Sequence, residues 1–158
     1  MLGFSKVKRG ALLAVCTGTV SVLDNIADDV FSQRLLGDGF AQSPEDGVVR
    51  APADGIIAGI ADTKHAYCID TNDGAQVLVH IGIDTVKLKG EGFSPKVEKG
   101  SRVRAGEILA EVDMDMIKEK GFDNSVITLI TNVDAVKGIE IKEGRAQGGV
   151  TTVLKYKM

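Results

Sequence analysis

The chain has 158 residues, 44% hydrophobic and 26% charged, with a net charge of −3. That length fits one domain with its own core, and that composition excludes wholesale disorder. The slight acidity, with lysines scattered in no basic stripe, argues against nucleic acid as a partner.

Aromatics make up only 4%, tryptophan is absent and there are 19 glycines, which favours many short strands and turns over long helices. The fold class read from composition is therefore all-β. Residues 1–10 read as a short basic tail in front of a single domain spanning 11–158. In that tail Lys6, Lys8 and Arg9 precede ALLAVC, a faint likeness to a secretory signal. The apolar run Ala11–Val15 is too short for a signal, and bulky Val15 stands where cleavage before Cys16 requires a small residue, so a first strand is the better reading. No segment approaches the roughly 18 apolar residues of a membrane span, so membrane insertion is not expected. Cys16 and Cys68 stand far apart and outside any CxxC, predicting neither a metal knuckle nor a disulfide framework. Reducing cytoplasm is the simplest compartment.

Strand-like pieces follow in turn: GTVSVL, GVVRAP, GIIAGI, HAYCID, AQVLVHIG, SRV, EILAEV, VITLIT and TTVLKY. Separated by glycine and acidic turns, they predict a single-domain antiparallel β-sandwich or barrel. AVCTGTV from Ala14 and APADGII from Ala51 share an A-x-x-x-G step, a short hint of internal duplication. Helical signals are few. NIADDVFSQRLLGDG predicts a helix with Ile26, Val30 and Phe31 on one face, ended by Gly37 and Gly39. DMDMIKEKG predicts another from Asp113 or Asp115 to Gly121, and NVDAVKG one or two turns capped at Asn132 or Asp134. KVEKGSRVRAGEILAEVD repeats a V-x-x-G step, the rhythm of small barrels whose chain passes through glycine corners.

Both histidines of the chain fall in TKHAYCIDTNDGAQVLVHIGIDT, Thr63 to Thr85, which reads as a β-hairpin. With Asn72 and Asp73 as a two-residue turn, His65 stands directly opposite His80, with Cβ atoms roughly 4.5–5.5 Å apart. A four-residue loop keeps that pairing; an odd-length loop or a bulge puts the rings on opposite faces. A catalytic zinc takes three protein ligands, so beyond the two histidines the rest would have to come from Asp84, Asp28 or a cysteine, and strand alternation turns Cys68 away from His65. A two-histidine zinc site completed by a partner's carboxylate stays open. There is no G-x-S-x-G elbow, P-loop or dinucleotide fingerprint. What remains is histidine as nucleophile, holding a phosphoryl group as a phosphoramidate, with a second imidazole to stabilise the phosphoryl oxygens and the hydroxyl of Thr63 to set a tautomer.

TKHA followed by LVHIGIDTVKLKGEGF, preceded by LGDGFA and APADG, resembles the glucose-family enzyme IIA domain of the bacterial phosphoenolpyruvate-dependent sugar phosphotransferase system, from about residue 11 to 157. The resemblance implies an antiparallel β-sandwich with both histidines in a shallow depression. It makes His80 the phosphorylated nucleophile through Nε2, with Nδ1 held by the carbonyl of Gly82, His65 the stabilising partner and Thr63 its orienting hydroxyl. It implies HPr as phosphoryl donor, a cysteine of a IIB domain as acceptor, and regulatory targets among other enzymes or permeases. Val30, Phe31, Leu35, Leu36, Leu78 and Ile81 match an apolar docking rim, and Asp28 and Asp84 match acidic positions suited to an arginine of HPr. No cofactor is required; zinc is expected only at His65 and His80 with a partner's carboxylate. The sequence departs from the commoner family pattern at AVCTG, where SPVDG is usual, and at Tyr67 and Cys68, where phenylalanine and a small residue are frequent. Cys68 is expected to be a buried thiol. Two further readings are a biotinyl or lipoyl carrier, which needs a lysine at a hairpin tip where this chain has TNDG, and a zinc peptidase of a related sandwich fold, which needs an absent H-x-H element.

Overall fold

A computed structural model describes residues 8–158. Among them are fourteen strands and two short α-helices. In chain order the first are β1 (Arg9–Leu13), β2 (Gly18–Val22), α1 (Asp29–Ser32), β3 (Asp38–Pro44), β4 (Val48–Arg50) and β5 (Gly55–Ile60). The hairpin β6 (Ala66–Thr71) and β7 (Gln76–Ile81) comes next, then β8 (Phe93–Pro95), β9 (Arg102–Val103) and β10 (Ile108–Val112). The chain closes with α2 (Met114–Glu119), β11 (Val126–Ile130), β12 (Lys137–Ile141), β13 (Gly144–Ala146) and β14 (Thr152–Lys157).

The strands form three open antiparallel sheets, and none closes into a barrel among the described residues. The largest runs β13-β2-β3-β11-β7-β6-β5-β9; the others are β1-β14-β12 and β4-β10-β8. They share one core, to which the large sheet contributes Phe40, Tyr67, Val79 and Ile130, and the smaller sheets Leu12, Leu109 and Leu154. The large sheet also buries part of its outer face. There Leu23, Ile26, Phe31, Ala41, Ile83, Ile127 and Leu129 form a second apolar cluster, closed by the loop between β2 and β3. All five residues of β11 are therefore buried, with Val126 and Ile130 facing the main core and Ile127 and Leu129 the second. A strand covered on both sides reads as a continuous apolar run rather than an alternation, which is what VITLI is.

Several expectations are revised. Arg9 and Gly10, assigned to the tail, pair with Lys157 and Tyr156 inside the β1–β14 ladder; residues 1–7, with the rest of the tail, lie outside the described residues. The helix expected through residues 25–36 is a 3₁₀ turn at Leu23–Asn25 and the single turn α1. Its apolar residues are too few for a longer amphipathic stripe, and Arg34 at φ 59 breaks the helical path. The signal in DMDMIKEKG is α2, capped by Asp113 and stopped by Gly121 at φ 88. NVDAVKG forms only a 3₁₀ turn, Val133–Ala135.

Candidate functional site

The hairpin that carries both histidines turns through three residues, Asn72 to Gly74, with Thr71 N–H donating to the carbonyl of Ala75 at 2.9 Å. Gly74 sits at φ 99, the left-handed residue that a three-residue hairpin loop requires. The odd loop slips the register by one residue from the expectation: Ala66, not His65, lies across from His80, and Cys68 across from Leu78. His65 escapes the parity rule because it precedes the regular strand. It lies in a bend after Lys64, which holds φ 62, while its carbonyl still accepts Ile81 N–H at 2.7 Å. The two rings meet by this route, edge to face, with centroids 4.9 Å apart and planes at 82°.

Each ring is fixed from behind. His80 Nδ1 lies 2.8 Å from the carbonyl oxygen of Gly82, the contact implied by the resemblance. A carbonyl only accepts, so Nδ1 carries the proton and Nε2 is left with a lone pair. His65 Nδ1 lies 2.7 Å from the hydroxyl of Thr63. Phe31 packs against His80 at 5.0 Å between centroids, and Ile127 is its ladder neighbour on β11. Burial in this apolar setting, reinforced by His65, pushes the His80 imidazolium down to about 4, against the opposing pull of the Gly82 carbonyl, Asp28 and Asp84. Burial lowers His65 as well. Both imidazoles are neutral at physiological pH.

The pair opens into a depression of about 230 Å³ lined by Asp28, Val30, Phe31, Leu36, His65, His80, Asp84, Thr85 and Val86. Asp28 caps α1 by accepting Val30 N–H at 3.0 Å. Asp84 is exposed in left-handed backbone at φ 60, just beyond the end of β7. Val30 and Leu36 are exposed on the rim, and Leu35 stands beside them, 67% exposed.

Not every expected rim residue is at the surface. Phe31 is 5% exposed and belongs to the second apolar cluster beneath the rim, and Leu78 is partly buried against that cluster. Ile81 is fully buried in the main core, because it follows His80 in β7 and alternation turns it to the other face. Val86, half exposed, lines the depression and was missed; it lies in the 3₁₀ turn Thr85–Leu88, whose strand-like IDTVKL pattern gives no signal for a surface position. Cys68 is also revised: it is exposed on the His80 face of β6, and the buried thiol is Cys16, pushed up to about 12 by burial and by Asp46 and Glu45. Among the described residues, no cluster of three or more His, Cys, Asp or Glu could hold a metal, and no helix is long and apolar enough to cross a membrane.

Comparisons with known proteins extend this picture. The pattern of the phosphoenolpyruvate-dependent sugar phosphotransferase system, EIIA 1, matches residues 10–136. The chain is 39% identical over 155 residues to the glucose-specific EIIA component of Bacillus cereus, covering 98% of this chain and 94% of that protein. It is 38% identical over 152 residues to the N-acetylglucosamine-specific EIICBA component of Escherichia coli, covering 96% of this chain but only 24% of that longer protein. Among solved structures, glucose permease IIA from Mycoplasma capricolum superposes with a TM-score of 0.88 at 36% identity, covering 94% of this chain and 96% of the other.

Proposed function

The chain belongs to the EIIA 1 family of the phosphoenolpyruvate-dependent sugar phosphotransferase system, and on that premise we propose that it is a cytoplasmic phosphocarrier in sugar uptake whose covalent step takes place at His80. The observation that carries the residue assignment is the tie between His80 Nδ1 and the Gly82 carbonyl, which leaves the other ring nitrogen as the nucleophile. In the forward step the Nε2 lone pair of His80 attacks the phosphorus of a phosphohistidine on HPr. The donor P–N bond breaks, a new P–N bond forms, and the proton stays on Nδ1, still donated to the Gly82 carbonyl. The donor histidine recovers its lone pair. In the second step a cysteine thiolate of a IIB domain attacks the same phosphorus and restores neutral His80.

His65 stabilises the phosphoryl oxygens in both steps. With the Thr63 hydroxyl donating to its Nδ1, His65 presents Nε2–H to the charge that develops there. Asp28 and Asp84 at the edge of the depression suit a basic donor surface, and Val30, Leu35 and Leu36 give the same surface apolar contact. Two neutral imidazoles side by side also suit zinc, and we extend the proposal to a zinc ion shared with a partner's carboxylate, since His65 and His80 would furnish two ligands of at least three.

The test is incubation with phosphoenolpyruvate, the general phosphotransferase and HPr. The chain should take up one acid-labile, base-stable phosphate, and His80→Gln should take up none. His65→Gln should be labelled yet transfer to the IIB cysteine about a hundredfold or more slowly, the scale of losing one oxyanion donor. Normal labelling of His80→Gln would overturn the assignment.

A further inference from the structure

Arg34 sits between α1 and β3 in left-handed backbone at φ 59, a conformation that non-glycine residues adopt only when their surroundings hold them there. Its guanidinium reaches three points of one loop. Nη2 donates to Asp24 Oδ1 at 2.7 Å, Nε to Asp38 Oδ1 at 3.0 Å, and Nη1 to the carbonyl of Ser32 at 3.2 Å. Asp24 lies at the entry of the segment, in the 3₁₀ turn after β2, and Asp38 at its exit, as the first residue of β3. The backbone is pinned as well, with Arg34 N–H on the Phe31 carbonyl and Leu35 N–H on the Val30 carbonyl, both at 3.0 Å. Leu35 and Leu36 come next in the chain and stand 67% and 45% exposed.

We propose that Arg34 is a positioning residue for partner docking: by closing the loop of residues 23–37 at its base, it presents Leu35 and Leu36 beside the histidine depression in a preformed arrangement. The proposal rests on the phosphocarrier reading. Arg34 does not line the histidine depression, so it acts on encounter rather than on phosphoryl transfer. A loop ordered in advance has less freedom to lose when the partner arrives, and such an effect appears in KM.

Steady-state transfer from phosphorylated HPr tests this in wild type, Arg34→Gln, Asp24→Asn, their double variant and Arg34→Lys. Both single variants should raise the KM for HPr about three- to tenfold with kcat within about twofold, the range expected when one or two side chains must be ordered on binding. The double variant should be no worse than either single one, because both break the same clamp. Arg34→Lys should recover part of the loss. In the unphosphorylated chain, amide exchange at Arg34 and Leu35 should quicken in Arg34→Gln while β3 stays protected. If Asp24→Asn leaves KM unchanged where Arg34→Gln raises it, the arginine meets the partner itself and the clamp is wrong. A fall in kcat alone, or unaltered exchange, also overturns it. Absence of label on wild type would instead count against the phosphocarrier reading.

Discussion

Tyr67 carries a hydroxyl into the main core, and among the described residues nothing there bonds to it. Burial pushes its phenol up to about 12. An unpartnered buried hydroxyl costs about 1–3 kcal/mol of desolvation, and its removal restores that amount if the ring stays in place. Tyr67→Phe should therefore leave the denaturant midpoint unchanged or raise it; a clear drop would show that the hydroxyl is satisfied in solution. The same position marks a limit of what the sequence makes legible. With Cys68 expected to be buried, alternation puts Tyr67 on the outer face of β6, whereas Tyr67 faces the core and Cys68 is exposed. The expectation fails at Cys68 because the register that decides its neighbours depends on the loop, and loop length is invisible to alternation. A two-residue turn would set the two histidines face to face, a register one residue away from the one the hairpin has. The structure brings them together anyway because the bend at Lys64 and His65 lies outside the ladder.

Among the elements, β3 is one that the sequence does not reveal. Its sequence DGFAQSP shows no alternation because both faces are covered, Phe40 in the main core and Ala41 in the second cluster. Its polar residue is buried too: Gln42 accepts Val15 N–H at 2.9 Å and donates to the Cys16 carbonyl at 2.7 Å. Gly39 lets β3 approach β11, since a Cβ at that position would sit 1.9 Å from the Thr128 carbonyl oxygen, with backbone that cannot give way. Gly39→Ala should cost roughly 2 kcal/mol or more and, because β11 lies between β3 and His80, lower phosphate uptake with it. Gly59→Ala is the control, with nothing within 4 Å of the added carbon and no positive φ; its unfolding midpoint should stay within about 0.5 kcal/mol of wild type. The short A-x-x-x-G likeness gains a physical meaning at the same scale. Gly18 and Gly55 each open a strand of the large sheet where a Cβ would strike a carbonyl, that of Ser43 and that of Asp70. Shared strand-entry geometry is a physical reason for the repeat.

For the whole molecule, the site imposes its own pH dependence on stability. His80 is held neutral by burial, first, and by the neighbouring His65, with its folded-state value near 4 against an ordinary 6.5. Between those two values the unfolded chain binds a proton that the folded chain refuses, so acidification favours unfolding. The loss begins as pH falls below about 6.5 and is complete near 4, amounting to at most roughly 3 kcal/mol for a shift of that size. His65, lowered by burial, adds to the same window. The carboxylates act later. Burial opposes ionisation of Asp73, yet hydrogen bonds from Thr71, Tyr156 and Ala75 N–H hold it below the usual range, so its contribution survives until pH falls below about 3.8. The loss of stability on acidification should thus come in two parts, the histidines' first. Urea midpoints measured from pH 7.5 to 4.5 should decline in wild type and decline less in His80→Gln, which has no imidazole to protonate at that position. Parallel declines in the two proteins would mean that His80 titrates near its ordinary value in the folded chain, and a proton would then compete for its Nε2 lone pair near neutral pH.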